Sequence, residues 1–339
     1  MRLNSLDVTF HRTVRVPEGR AASNLPPSLG RMKLFKVSDF QKNCPHDWAQ
    51  EACFMALHET EAMWISFRAI GRPCAVLIGA GGVNALTGQK LGTKLETDNY
   101  LVCPPQPWID GWKDVDETVH QFVATPHKKG EGTSVGEQLI GADSKTGAIG
   151  LAMFDPKDDV SLTPAISPEE WSGSITGNYM IDSDGPLKSF FASSVFACST
   201  PSQGPGVPQP DFSLSKGSRA KANLLAECSL AGKEMGLGKG GKILQKIYAD
   251  PHGLEVWRSK PTVVFAFYLV DAKTGAEITG EDIPAPVSYA DYGGNWYGLK
   301  DENLPDVAGT SAFAGLKSAA FAGDISNAEK EVATELPSD

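Results

Sequence analysis

Between Cys74 and Ala124 the chain is cut into short apolar runs by Gly, Pro and Asn breaks, and this punctuation limits what it can fold into. Cys74-Ala-Val-Leu-Ile78 gives way to Gly79-Ala-Gly-Gly82 and then to Val83-Asn-Ala-Leu-Thr-Gly88. Tyr100-Leu-Val-Cys103 runs into Pro104-Pro-Gln-Pro-Trp-Ile-Asp-Gly-Trp112, followed by Thr118-Val-His-Gln-Phe-Val-Ala124. Such runs are strand-length and bounded by turn residues, so the stretch predicts short strands rather than helices. The same punctuation holds throughout: 35 Gly and 23 Pro fall in 339 residues, about one break in every six, which leaves little room for long helices.

Other segments agree. Leu6, Val8 and Phe10 alternate with polar neighbours and, after a slip near His11, Val14 and Val16 resume the pattern, as in a half-buried strand with a bulge. Pro17 to Arg31 reads as a loop, Met32 to Val37 as a short strand, and Ser38-Asp-Phe40 as a helical turn. Ala62 to Arg68 alternates as a strand, and Val263 to Val270, the longest apolar run, reads as one buried strand. Ala148 to Phe154 and Phe190 to Cys198 are further strands; Glu137 to Ile140 is expected to pair across an Asp143-Ser-Lys-Thr-Gly147 turn. Asp271-Ala-Lys-Thr-Gly275 nearly repeats that turn.

These readings predict a mainly β protein: one or two antiparallel sandwiches with a few short helices and long Pro/Gly-rich loops. A β-rich block spans 1–155, a turn-rich and Pro-rich connection 156–212, a second β-rich block 213–325 and an acidic tail 326–339. The two blocks are separate sheets or halves of one unit.

A net charge of -10 argues against nucleic acid, whose binders gain affinity by exchanging counterions for Lys and Arg. The run at Val263 is too short for a membrane-spanning helix, and Met1 to Asp7 lacks a signal peptide's apolar core, so a cytoplasmic location is expected. Six cysteines without a Cys-x-x-Cys pair read as free buried thiols, with three disulfides allowed by count.

Several motifs suggest chemistry. Gly79 to Gly82 follows an apolar strand as a dinucleotide loop does, but no helix of sufficient length follows, so a tight turn is expected. Gly236-Leu-Gly-Lys-Gly-Gly-Lys242 fits seven places of a P-loop, yet Ile243 stands where a hydroxyl should hold Mg2+; a basic turn before a strand from Ile243 is expected. Gly132-Thr-Ser-Val-Gly136 matches the G-x-S-x-G nucleophile pattern, with Ser134 as nucleophile and His120, His127 or His252 as base. The six histidines are scattered, so no metal site and no cofactor are expected; Asp155 to Asp159 reads as solvated loop charge.

Trp108-Ile-Asp-Gly-Trp112 is the most individual feature. Two indoles beside a Pro-bounded bend either stack on a sugar or partner, with Asp110 as hydrogen-bonding group, or plug a sandwich core. Trp108, Asp110, Trp112 and Asn84 are the candidate binding residues.

Phe10-His-Arg-Thr-Val-Arg-Val-Pro17, Gly81-Gly-Val-Asn-Ala85, Gln106-Pro-Trp-Ile-Asp-Gly111, His120-Gln-Phe-Val-Ala124 and Asp250-Pro-His-Gly253 resemble blocks of a family of uncharacterised microbial proteins, in the same order along residues 5 to 320. Members are often labelled integral membrane proteins, a label the short apolar runs contradict. His120 stands where the family block carries arginine. The resemblance implies no activity or catalytic set. The residues therefore lead to a non-enzymatic structural or interaction protein, self-assembling through sheet edges and surface aromatics, whose partner is another copy or another protein. The alternatives are a sandwich binding a glycan or other small ligand at the tryptophans, and a serine hydrolase using Ser134.

Overall fold

The computed structural model describes residues 1–18, 22–115, 117–126, 134–141, 147–162, 234–286 and 305–319. Two sheets lie across one apolar core. The first contains β1 (Arg2–Leu3), β2 (Leu6–Thr13), β3 (Ser28–Arg31), β6 (Ala62–Ala69), β10 (Trp108–Ile109), β11 (Gly111–Lys113), β12 (Thr118–Pro126) and β14 (Met235–Leu244). The second contains β4 (Phe35–Lys36), β5 (Cys53–Leu57), β7 (Cys74–Ala80), β8 (Val83–Asn84), β9 (Leu101–Cys103), β13 (Ile149–Phe154) and β15 (Val263–Asp271). This is the mainly β sandwich the punctuation predicts. Among the described strands one pairing is parallel, β5 beside β15, with Phe267 opposite Cys53.

The alternation of Leu6, Val8 and Phe10 places one side of β2 in the core, as Met63, Ile65 and Phe67 do for β6. Facing them are Met55, Ile78, Leu151 and Phe265, and the Phe10 and Phe267 rings meet 4.6 Å apart. The second sheet is buried on its other side too. Trp48, Phe35, Val37 and Ile278 cover Phe54 and Tyr268, while Trp257, Tyr100 and Leu95 cover Leu77, Val102 and Phe154. Burial on both sides explains why Cys74 to Ile78 and Val263 to Val270 are apolar without alternation.

β14 pairs with β12 in the first sheet and β15 lies between β5 and β13 in the second, so strands from before residue 155 and after residue 234 share both sheets. Gly81 and Gly82, with φ of 57° and 79°, form the two-residue loop between β7 and β8, the tight turn expected of that motif.

Four local expectations are corrected. Ser28–Arg31 is a strand on β2, inside the span read as loop. Val135–Ile140 is helix α1 rather than a strand: Ser134 caps it in a capping box with Glu137, which satisfies two otherwise orphaned backbone donors. Asp271 likewise caps α2 (Ala272–Thr279), accepting from the Thr274 amide at 3.0 Å, so Asp271-Ala-Lys-Thr-Gly275, the near repeat of the Asp143 turn, opens a helix instead of closing a hairpin. Gly236 to Lys242 lies within β14 and is not a turn. Its glycines are required by close approach: a Cβ on Gly241 would stand 2.4 Å from the Pro17 carbonyl oxygen, and one on Gly236 2.6 Å from Ser134 Cβ. The strand expected over Phe190 to Cys198, most of the turn expected over Asp143 to Gly147, the Pro-rich stretch beyond residue 162 and the acidic tail lie outside the described residues.

Candidate functional site

The Trp-rich bend becomes a wedge. β6 pairs directly with β12 at Met63 opposite Phe122 and Ala62 opposite Val123. Beyond that point the two strands part. β10 then lies on β6, with Ile109 opposite Ile65, and β11 lies on β12, with Trp112 opposite His120. Asp110 sits at the step between β10 and β11, and its carbonyl accepts from the Phe122 amide at 3.0 Å. Gly111 follows because nothing larger fits: a Cβ there would lie 1.8 Å from the His120 carbonyl oxygen.

Of the four predicted binding residues, Trp108, Asp110 and Trp112 lie at this wedge, while Asn84 is in β8 of the second sheet; all four are buried. Trp112 has no exposed surface; its ring packs against Phe122 and Phe313 at 5.1 and 5.4 Å, and its indole N–H donates to the Gly238 carbonyl. A sugar platform needs an open ring face, so Trp112 has the other role foreseen for it, that of a core plug. Trp108 is 8% exposed and donates its indole N–H to Asp110 Oδ2 at 3.0 Å. Asn84 Oδ1 accepts from the Leu86 and Thr87 amides while its Nδ2 donates to the Asn99 carbonyl, fixing the turn whose Ala85 carbonyl receives the Lys113 amide.

Asp110 is the chemically unusual member. It is 1% exposed, and its Oδ1 has no hydrogen-bond partner among the described residues. Burial, only partly opposed by the Trp108 hydrogen bond, pushes its carboxyl up to about 8. At neutral pH the group is a carboxylic acid rather than a carboxylate. Gln245 and Gln106 hold the surrounding backbone: Gln245 Oε1 accepts from the Asp110 amide, and both side-chain amides donate to the Trp108 carbonyl.

A charged cluster lies alongside, and the sequence reading missed it. His120 Nε2 is 3.1 Å from Asp114 Oδ2, and the same oxygen accepts from Lys242 Nζ at 2.8 Å. His120 Nδ1 faces the Gly240 carbonyl at 3.3 Å. Both ring nitrogens therefore face acceptors, which only the imidazolium can satisfy together. Burial works against that charge and lowers His120 despite the pull of Asp114. Burial also raises Asp114, but Lys242, the Val115 amide and His120 outweigh it and hold the carboxyl below its usual range. Lys113, fully buried, pairs with Asp306 at 2.8 Å, and Lys239 donates to the Phe313 and Ala314 carbonyls. The available signal was the Lys239/Lys242 pair, legible only as a phosphate motif until β12 is known to be its partner.

Ser134, the candidate nucleophile, is 2% exposed, and its hydroxyl lies 3.0 Å from Glu137 Oε2 within the helix cap. Of its candidate bases, His120 is held as above, His252 packs beside Trp257, and His127 lies outside the described residues. Among the described residues no group of three metal-ligating side chains converges, and no helix is long and apolar enough to cross a membrane. Compared with family models, curated proteins and solved structures, the chain matches none.

Proposed function

We propose that the chain is a non-enzymatic structural protein that associates with copies of itself. One observation carries this reading: the side chains chemistry would call on, Ser134, His120, Asp114 and Asn84, are committed to caps, ion pairs and turns that hold the sandwich together. An active nucleophile or base needs a free face toward substrate, and these have none.

For the route of association, side-chain contact is the reading we favour over the edge pairing expected from sequence. The marginal strands β1, β3, β4, β8, β9, β10 and β11 are two to four residues long, and the longer β14 is bridged by Ser23 and Ser318. Short or covered edges block strand addition. Side-chain contact is the better route. Val115 and Leu244 are 38% and 45% exposed. They flank Thr118, which is opposite Leu244 and donates its hydroxyl to the Val115 carbonyl. The patch is small, so association should be weak and concentration-dependent. Light scattering after size exclusion, with negative-stain microscopy, tests the reading: oligomers that dissolve on Leu244→Asp support it, and a monomer at high concentration refutes it.

Small-ligand binding is a second reading, favoured by Asp110 Oδ1, a buried polar atom lacking a partner among the described residues. A ligand with a hydrogen-bond acceptor would complete the acid. A glycan array and a fragment screen by thermal shift, each repeated on Asp110→Asn and Trp108→Ala, test it; hits unaffected by both substitutions count against the site.

A further inference from the structure

Cys74 opens β7 and Cys103 closes β9, and the two are register partners across the antiparallel pair. Directly opposed residues in such a pair have Cα atoms about 4.5 or about 5.5 Å apart, depending on whether they exchange backbone hydrogen bonds. Disulfides span Cα separations of about 4.4–6.8 Å, so either geometry fits. The side chains share a face. Cys74, Val76, Leu101 and Cys103 all enter the core between the sheets, while their neighbours Ala75 and Val102 pack on the other side. Among the described cysteines this arrangement is unique to the pair: Cys53 is opposite Lys36 and Phe267, and Cys44 packs in the cluster outside the second sheet.

We propose that Cys74 and Cys103 are a disulfide-forming site, which a small disulfide oxidant closes as the chain folds, covalently joining β9 to β7. In the first exchange one cysteine thiolate attacks a sulfur of the oxidant, the oxidant's S–S bond breaks, and one thiolate leaves. In the second, the other cysteine thiolate attacks the protein sulfur of that mixed disulfide, forming the Cys74–Cys103 bond and expelling the second thiolate. The protein loses two electrons and two protons, and the oxidant becomes two thiols.

The structure holds both groups as free thiols. They are at most 1% exposed, and burial raises both well above the ordinary cysteine value. The thiolate is the reacting species, so the folded, reduced pair is protected from exchange. The bond must therefore form during folding, or when β9 detaches. Detachment is local, because β9 is three residues long and among the described residues pairs with β7 alone. Once formed, the disulfide has the same protection against reductants. The cross-link would also anchor the wedge: just beyond Cys103, the Gln106 amide donates to the Val102 carbonyl and its side chain to the Trp108 carbonyl.

The test uses the full chain, refolded from denaturant in a glutathione redox buffer or in reductant, then alkylated and digested without reduction. Mass spectrometry is expected to find the Cys74 and Cys103 peptides linked after oxidative refolding, two hydrogens lighter than their sum. The oxidised protein should also have a higher urea midpoint than the reduced one. Because the linkage is read on the wild-type chain, the result stands even where Cys74→Ser or Cys103→Ser folds poorly. Recovery of both thiols alkylated after oxidative refolding, or of Cys103 linked to a different cysteine, overturns the proposal.

Discussion

Replacing Asp110 by Asn should remove a large part of the pH dependence of stability. The folded chain holds the Asp110 carboxyl at about 8, against an ordinary value of 3.8. Between those limits the folded state keeps a proton that the unfolded state has released, so raising the pH favours unfolding. The stability that protonated Asp110 brings is full below pH 3.8, falls across the window and is gone above about 8. The slope for one proton is about 1.4 kcal/mol per pH unit, so the whole window amounts to about 6 kcal/mol. That approaches the whole net stability of an ordinary domain, about 5–15 kcal/mol, so half the effect would still be plain. Asn keeps the shape and the acceptor for the Trp108 indole but cannot ionise. Urea unfolding followed by tryptophan fluorescence, at intervals from pH 4 to 9, gives the assay. The quantity to read is the difference between wild type and variant, because Glu234, which burial raises to about 7, has the same sign in both proteins. The two should agree near pH 4, with the variant increasingly the more stable toward pH 8. Parallel pH profiles would refute the argument that burial governs this group.

Trp112→Ala should cost about 3–5 kcal/mol by emptying a fully buried site, measured as a fall in urea midpoint at unchanged m-value. Gly111→Ala should prevent native folding, since its Cβ would overlap the His120 carbonyl, whereas Gly315→Ala, with nothing within 4 Å of the added carbon, should leave circular dichroism and midpoint nearly unchanged. Ser134→Ala should lose a helix cap worth about 1 kcal/mol, and a fluorophosphonate probe should fail to label the wild-type chain; labelling that disappears in the variant would restore the hydrolase reading. Asp114→Asn should flatten the loss of stability on acidification below about pH 4, where Asp114, held below its usual range, otherwise takes up a proton on unfolding.

Much of the fold was legible because strand periodicity is a local property. Leu6 to Phe10, Ala62 to Phe67 and Val263 to Val270 carry their strand character in consecutive residues, and Gly81-Gly82 carries its turn in two. Ser134-x-x-Glu137 was equally local, a capping box visible in the sequence, and was misread because apolar residues followed it. The wedge was legible as an unusual segment but not as a structure. Its form depends on β6 and β12 separating, and those strands lie more than fifty positions apart.

By itself, the sequence determined that short strands would pack into a sandwich and that long helices would be absent from its core, because alternation and Gly/Pro spacing restrict each segment independently of its neighbours. Tertiary structure alone decided that a run of glycines and lysines would be β14, that β5 would lie parallel to β15, and that Cys74 would face Cys103. It also decided that Asp110 would hold its proton. The reason is common to all four: pairing and desolvation are set by whatever covers a residue from elsewhere in the chain, and no local pattern encodes that cover.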